Sequence, residues 1–80
     1  MRDEEIVARI GELVEEEHAL ERLHTGSEVD DEVAGRIQEL AVQLDQCWDL
    51  LRQRRARRAA GQDPDEATLR PGAVVESYRQ

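Results

Sequence analysis

Apolar residues recur along two stretches of the chain at alternating steps of three and four positions. The first stretch carries Ile6, Ile10, Leu13, Leu20 and Leu23. The second carries Val33, Ile37, Leu40, Leu44, Cys47 and Leu51. With Ile10 at heptad position a and Leu13 at d, this spacing is typical of helices that pack as coiled coils. The pattern predicts two amphipathic helices.

The segment HTGSEVDDE separates the two patterns and carries helix-boundary signals. Gly26 favours the end of the first helix and Ser27 the N-cap of the second, while Gly61 favours the end of the second. We therefore predict helices over residues 3–25 and 28–60. Because the connection is short, the helices should pack antiparallel, which gives an all-α, coiled-coil-like hairpin.

Antiparallel pairing about this connection sets a register. Ile6 should lie opposite Leu51, Leu13 opposite Leu44, and Leu23 opposite Val33. The same register places Asp3 opposite Arg54 at the open end of the hairpin. That end should therefore be joined by charge as well as by apolar packing.

One flank of the seam, at heptad position e, is apolar and is called the apolar edge below. Its members are Val7, Val14, Ala34, Ala41 and Trp48. The opposite flank, at position g, is mostly charged. Two helices cannot cover the apolar edge themselves, so the pattern predicts a homodimer that forms a four-helix bundle, with Trp48 as the interface anchor. An unidentified protein partner would then use the remaining surface.

The last twenty residues form a separate tail, 61–80. Asp63, Pro64 and Glu66 suit the N-cap, N1 and N3 positions of a short helical turn. Val74, Val75 and Tyr78 are candidates to dock. The docking surface is either the same hairpin or a partner chain, and the sequence leaves both open.

Charge is distributed unevenly along the 80 residues, whose net charge is −8. Residues 1–50 hold 15 acidic residues and 4 arginines, whereas residues 51–80 hold 4 acidic residues and 7 arginines. The run RQRRARR could therefore contact a polyanion through Arg52, Arg55, Arg57 and Arg58. We favour the alternative that the run complements the helix dipole and pairs with Asp3, Glu4 and Glu5.

No catalytic, cofactor or metal site is predicted. Glu15 with His18 and Glu21 with His24 show the E-x-x-H spacing of di-iron bundles, but the first pair faces solvent and the second faces Val33 and Ile37. Cys47 falls in the seam, without a histidine to act as its base. The sequence thus favours a non-enzymatic protein.

Glu17 occupies a core heptad position among leucines. One reading is a carboxylate that reaches out of the seam toward an arginine such as Arg36. The other is a polar core residue that sets the register or the oligomeric state. Both remain open at this stage.

The N-terminal stretch is too acidic for a signal peptide, and no apolar run approaches the length of a membrane span. A single cysteine excludes an intrachain disulfide and favours a reducing cytoplasm.

Three segments, LVEEEHALERL, LDQCWDLLRQRRARRAAGQDPDEA and RPGAVVESYRQ, make the chain resemble a small bacterial family, domain of unknown function 2630, found largely in actinobacteria. The resemblance spans nearly the whole chain. It implies a cytoplasmic actinobacterial protein whose tail belongs with its hairpin. It implies no activity and no catalytic residues.

Overall fold

The computed structural model describes residues 2–24 and 31–72. Within these ranges the chain forms two α-helices, α1 (Asp3–His24) and α2 (Asp31–Ala59), and a short 3-10 helix, Pro64–Glu66. The two α-helices pack against each other, which confirms the predicted all-α hairpin. Residues 25–30, including the boundary signals Gly26 and Ser27, lie outside the described residues.

Capping contacts are present at the start of α1 and at the end of α2. At the start of α1, the Glu5 Oε1 atom accepts a hydrogen bond from the Arg2 backbone N–H at 3.1 Å, which is half of a capping box. At the end of α2, Gly61 has a φ of 73°. The Gln62 N–H donates to the Arg57 carbonyl at 2.7 Å, and the Gly61 N–H to the Arg58 carbonyl at 3.1 Å. These two bonds form a Schellman motif, which explains why α2 ends just before the glycine.

The core lies in the half of the hairpin that is remote from the helix connection. Its buried apolar members are Ile6, Ile10, Leu13, Leu40, Leu44, Leu50 and Leu51. Leu20 and Cys47 are partly buried against this cluster. Leu23 is 73 % exposed, so its predicted contact with Val33 buries little of it. Leu23 occupies heptad position g, which lies beside the seam, and this explains why its side chain stays exposed.

Polar pairs across the seam report the register directly. Arg54 Nε lies 2.5 Å from Asp3 Oδ1 at the open end, as the sequence predicts. On the charged flank, Arg36 Nε lies 2.7 Å from Glu16 Oε2. These contacts fix α1 and α2 in one antiparallel alignment.

Residues 61–72, called the strap below, turn back and run along α2. The Gln53 side-chain amide donates to the Thr68 carbonyl at 2.8 Å, and the Gln46 amide donates to the Arg70 carbonyl at 3.1 Å. Because the strap advances while the α2 positions decrease, the two segments are antiparallel. Val74, Val75 and Tyr78 lie outside the described residues.

Asp63 caps the 3-10 helix of the strap, as its sequence predicts. The Asp63 Oδ1 atom accepts a hydrogen bond from the Asp65 backbone N–H at 2.9 Å, and Pro64 follows the cap. Ala67, just beyond this helix, packs against the core cluster. The strap thus forms a third layer beside the two helices.

In the described ranges, neither helix offers a stretch that is both long and apolar enough for a bilayer crossing.

Candidate interaction surface

The apolar edge is open to solvent at Trp48 and Val7. Trp48 is 47 % exposed and Val7 is 56 % exposed. Val14, Ala34 and Ala41 are half-buried. An indole this exposed on a helical surface is typical of a site that binds another protein, because large aromatic residues supply much of the binding energy at interfaces.

The described part of the strap does not cover the apolar edge. Its contacts with α2 involve Gln46, Asp49 and Gln53, whereas the edge on α2 consists of Ala34, Ala41 and Trp48. These two sets fall on different faces of a helix with 3.6 residues per turn. The strap therefore lies on a different side of α2 and leaves the edge accessible.

The two ends of the apolar edge carry opposite charge. Arg52 and Arg55 lie beyond Trp48 toward the open end, and both are exposed. Glu21 and Asp31 are exposed at the other end, near the helix connection. The edge thus has a large side chain and basic neighbours at one end, and small side chains and acidic neighbours at the other.

Arg54 joins three segments of the chain at the open end. It is buried, and besides Asp3 it contacts Asp65 Oδ1 at 3.0 Å and the Pro64 carbonyl at 3.2 Å. Hydrogen bonds from Arg58 and Arg54 lower the pKa of Asp3 from its ordinary value of 3.8 to about 2. The same contacts with Asp3 and Asp65 raise the pKa of Arg54. This cluster ties α1, α2 and the strap together.

The other arginines of α2 divide into paired and unpaired groups. Arg57 Nη1 lies 3.4 Å from Glu66 Oε2, and Arg58 pairs with Asp3. Across residues 2–24 and 31–72, Arg52 and Arg55 form no ion pair. Of the four predicted polyanion contacts, two are therefore engaged within the chain.

A further ion pair, which the heptad analysis did not find, holds the far part of the strap. Asp49 is 2 % exposed and accepts two hydrogen bonds from Arg70, one of them from Nε at 2.9 Å. The Gln53 amide also donates to Asp49, at 2.9 Å. These donors, Arg70 first, lower the pKa of Asp49. Position f is normally exposed in an isolated hairpin, so only the path of the strap explains why a carboxylate is buried there.

A groove of about 520 Å³ lies between the two helices and the strap, on the charged flank. Its floor is aliphatic, with Cys47 among the lining residues, and Arg9, Gln43 and Gln46 supply its polar groups. Burial raises the pKa of the Cys47 thiol, since the thiolate is poorly solvated there. No group of three or more potential metal-ligating side chains occurs among the described residues.

Glu17 is half-buried, in keeping with its position in the seam. The guanidinium of Arg36, the partner suggested by the sequence, bonds instead to Glu16 and, at 3.2 Å, to Glu39. Its role in setting the register or the oligomeric state stays a prediction. The E-x-x-H side chains carry no site in the described part of the chain, and the side chain of His24 lies outside it.

The fold and surface thus define a small helical-hairpin protein with an open apolar edge. A family model described as "Protein of unknown function (DUF2630)" matches residues 2–80, and the chain belongs to this family. It is 48 % identical over 77 residues to the uncharacterized protein Rv0898c of Mycobacterium tuberculosis (strain ATCC 25618 / H37Rv), which covers 95 % of this chain and 88 % of that protein. The uncharacterized protein Mb0922c of Mycobacterium bovis shows the same identity and coverage. No solved structure matches the chain.

Proposed function

We propose that this chain is a cytoplasmic, non-enzymatic assembly module that forms a homodimer through its apolar edge. The observation that carries the proposal is the indole of Trp48, which is 47 % exposed beside Val7 on a face that the strap leaves open. Burying that face against a second copy would remove apolar area from water at about 25 cal/mol per Å². The dimer would then present its charged faces to a further protein.

The shape of the edge favours an antiparallel arrangement of the two copies. Trp48 and Ala34 lie fourteen positions apart on α2, about 21 Å along the helix, with Ala41 midway between them. A two-fold axis through Ala41 places the indole of one copy over the small Ala34 of the other. Large and small residues then alternate across the interface, as close packing requires.

Charge favours the same arrangement. An antiparallel dimer sets Arg52 and Arg55 of one copy near Glu21 and Asp31 of the other. A parallel dimer would instead bring the arginines of both copies together, which is unfavourable. The two ends of the edge therefore attract each other only when the copies run in opposite directions.

The first test measures solution mass by sedimentation at micromolar concentration for the wild type and Trp48→Ala. We expect a dimer for the wild type and a weaker dimer, by at least tenfold in Kd, for the variant, because large aromatic anchors that pack into an interface contribute about 2 kcal/mol or more. Leu69→Ala is the matched control, since Leu69 is 56 % exposed on the strap. A monomeric wild type would remove the proposal.

A charge-swap experiment tests the geometry. One variant carries Arg52→Glu with Arg55→Glu, and the other carries Glu21→Arg with Asp31→Arg. Each variant alone should dimerise less than the wild type, because like charges meet, and an equimolar mixture should recover a heterodimer. If the wild type is a dimer but the mixture forms no heterodimer, the antiparallel arrangement is rejected, whereas dimerisation itself is not.

The alternative function is nucleic-acid or ribosome-associated binding through the arginines of α2. Its support is the exposure of Arg52 and Arg55 without an ion pair in the described ranges. Against it, Arg57 and Arg58 pair with Glu66 and Asp3, and the whole chain is strongly acidic. Filter binding to RNA over a salt series tests it, and negligible binding at low salt removes this alternative.

A further inference from the structure

We propose that the groove on the charged flank binds a free aliphatic carboxylate, of the fatty-acid class, with its chain in the groove and its head group on Arg9. This site is separate from the apolar edge and does not depend on dimer formation. Two observations carry it. They are the aliphatic lining of the groove and the single cation among its described lining residues.

The lining suits a flexible hydrocarbon chain. Among the residues that the structure describes, its apolar part consists of Ile6, Leu13, Leu50, Ala67 and Leu69 with the Cys47 thiol, and it contains no aromatic ring. Its volume of about 520 Å³ falls within the range of about 300–1,000 Å³ that is usual for small-ligand sites. From Ile6 to Leu13 it extends about 10 Å along α1, which is the length of a short acyl chain.

The strap completes the groove. Ala67 and Leu69 belong to the strap, and the Asp49–Arg70 ion pair holds it against α2. Without the strap, the chain of the ligand would lie on an open helical surface. In this proposal, the Asp49–Arg70 ion pair positions one wall of the site.

Arg9 is placed to select a carboxylate. Its guanidinium is about half exposed and makes two long contacts, to Glu12 Oε2 and to Gln43 Oε1, each at 3.3 Å. A guanidinium has five N–H donors in a planar fork that matches a carboxylate. Exposed pairs of this kind are weak, so a ligand carboxylate can replace or join them.

The experiment uses Cys47 as a reporter, because it is the only cysteine in the chain and lines the groove. The rate of its alkylation by iodoacetamide is followed by mass spectrometry as decanoate is added below its micelle concentration. At ten times its Kd, decanoate should slow alkylation about tenfold, since about one-tenth of the sites remain free. No slowing up to millimolar decanoate would overturn the proposal.

Decylamine distinguishes the assigned head-group contact from general hydrophobic binding. The chain carries a net charge of −8, so overall electrostatics favour the amine, and only the local cation favours the carboxylate. We expect decanoate to protect Cys47 better than decylamine. Equal or better protection by decylamine would overturn the assignment of Arg9.

Variants at Arg9 and Leu69, whose side chains are both exposed, complete the test. Arg9→Gln should raise the Kd for decanoate about tenfold, because a charge-assisted hydrogen bond is lost, and Leu69→Gln should weaken binding by removing one apolar wall. Arg52→Gln is the matched control, with the same charge change on another face, and should bind like the wild type. Protection of Cys47 that is equal in Arg9→Gln and Arg52→Gln would reject the site.

Discussion

Asp3 and Arg54 are 51 residues apart in the chain, yet their side chains meet at 2.5 Å in the folded protein. Their contact closes the hairpin at the end opposite to the helix connection. Arg54 reaches beyond it to Asp65 and the Pro64 carbonyl. One buried guanidinium thereby fixes the register of two helices and the start of the strap.

Asp3→Asn should alter how stability depends on pH. In the folded protein the pKa of Asp3 is about 2, against an ordinary value of 3.8, so folding favours the ionised carboxylate. This contribution is fully present above the ordinary pKa and is lost as the pH falls through the folded pKa. The difference in melting temperature between wild type and variant should therefore shrink as the pH falls from about 5 to about 2, as measured by circular dichroism.

Glu4→Gln is the control for that experiment. It removes a charge from the same helical turn, and within the described residues Glu4 forms no ion pair with Arg54 or Arg58. Its effect at neutral pH should be smaller than that of Asp3→Asn. Equal effects of the two substitutions would contradict a specific role for the Asp3 contacts.

Asp49→Asn should loosen the strap without disrupting the hairpin. The change weakens the paired hydrogen bonds with Arg70, at a cost near the lower end of the range for charged groups, about 1.5 kcal/mol, because Arg70 is partly exposed. Because the strap forms one wall of the groove that holds Cys47, a strap that opens more often should make alkylation of Cys47 faster. Asp31→Asn, at the other end of α2, should leave that rate unchanged.

Gly72→Ala and Gly35→Ala should have opposite effects. A Cβ added at Gly72 would lie 2.6 Å from Val42 Cγ1, so the Val42 side chain or the strap must shift, which disturbs the contact between the strap and α2. At Gly35, an exposed position within α2, a Cβ meets nothing within 4 Å, and alanine should stabilise the helix by about 0.5–1 kcal/mol. Chemical denaturation, with Cys47 alkylation for the strap, measures both. Alkylation of Cys47 that is no faster in Gly72→Ala than in the wild type would contradict the close approach.

Glu17→Leu tests the half-buried carboxylate in the seam. Adding apolar surface there should raise the free energy of unfolding by about 1 kcal/mol. If Glu17 sets the oligomeric state, the gain should come with the loss of a single defined oligomer, as seen by native mass measurement. An unchanged oligomer would reject that role, and Glu15→Leu on an exposed face is the control.

The hairpin was predictable because the heptad pattern specifies which residues face the seam. Ile6, Leu13, Leu40 and Leu51 are buried as that pattern requires, and the Asp3–Arg54 contact follows from the same register. The Asp63 cap was predictable because its signal is local, an acceptor followed by Pro64. The hairpin and the Asp63 cap both follow from local patterns that can be recognised in the sequence.

The path of the strap was not predictable, because it depends on tertiary contacts that have no sequence period. Asp49 falls at an outward heptad position, and its partner Arg70 lies in a segment without apolar periodicity. One signal did exist, since Leu50 interrupts the mostly charged flank and is buried. An apolar residue on that flank indicated that a further segment must cover it, but not which one.

The position of Arg54, far from the helix connection and bonded to both α1 and the strap, also bears on how this family can change over time. A single residue inserted between Leu44 and Arg54 would rotate everything beyond it by about 100° around the helix axis. The guanidinium would leave Asp3, and Gly61 would release the strap in a different direction. In this part of the chain, substitutions are therefore tolerated far more readily than insertions or deletions.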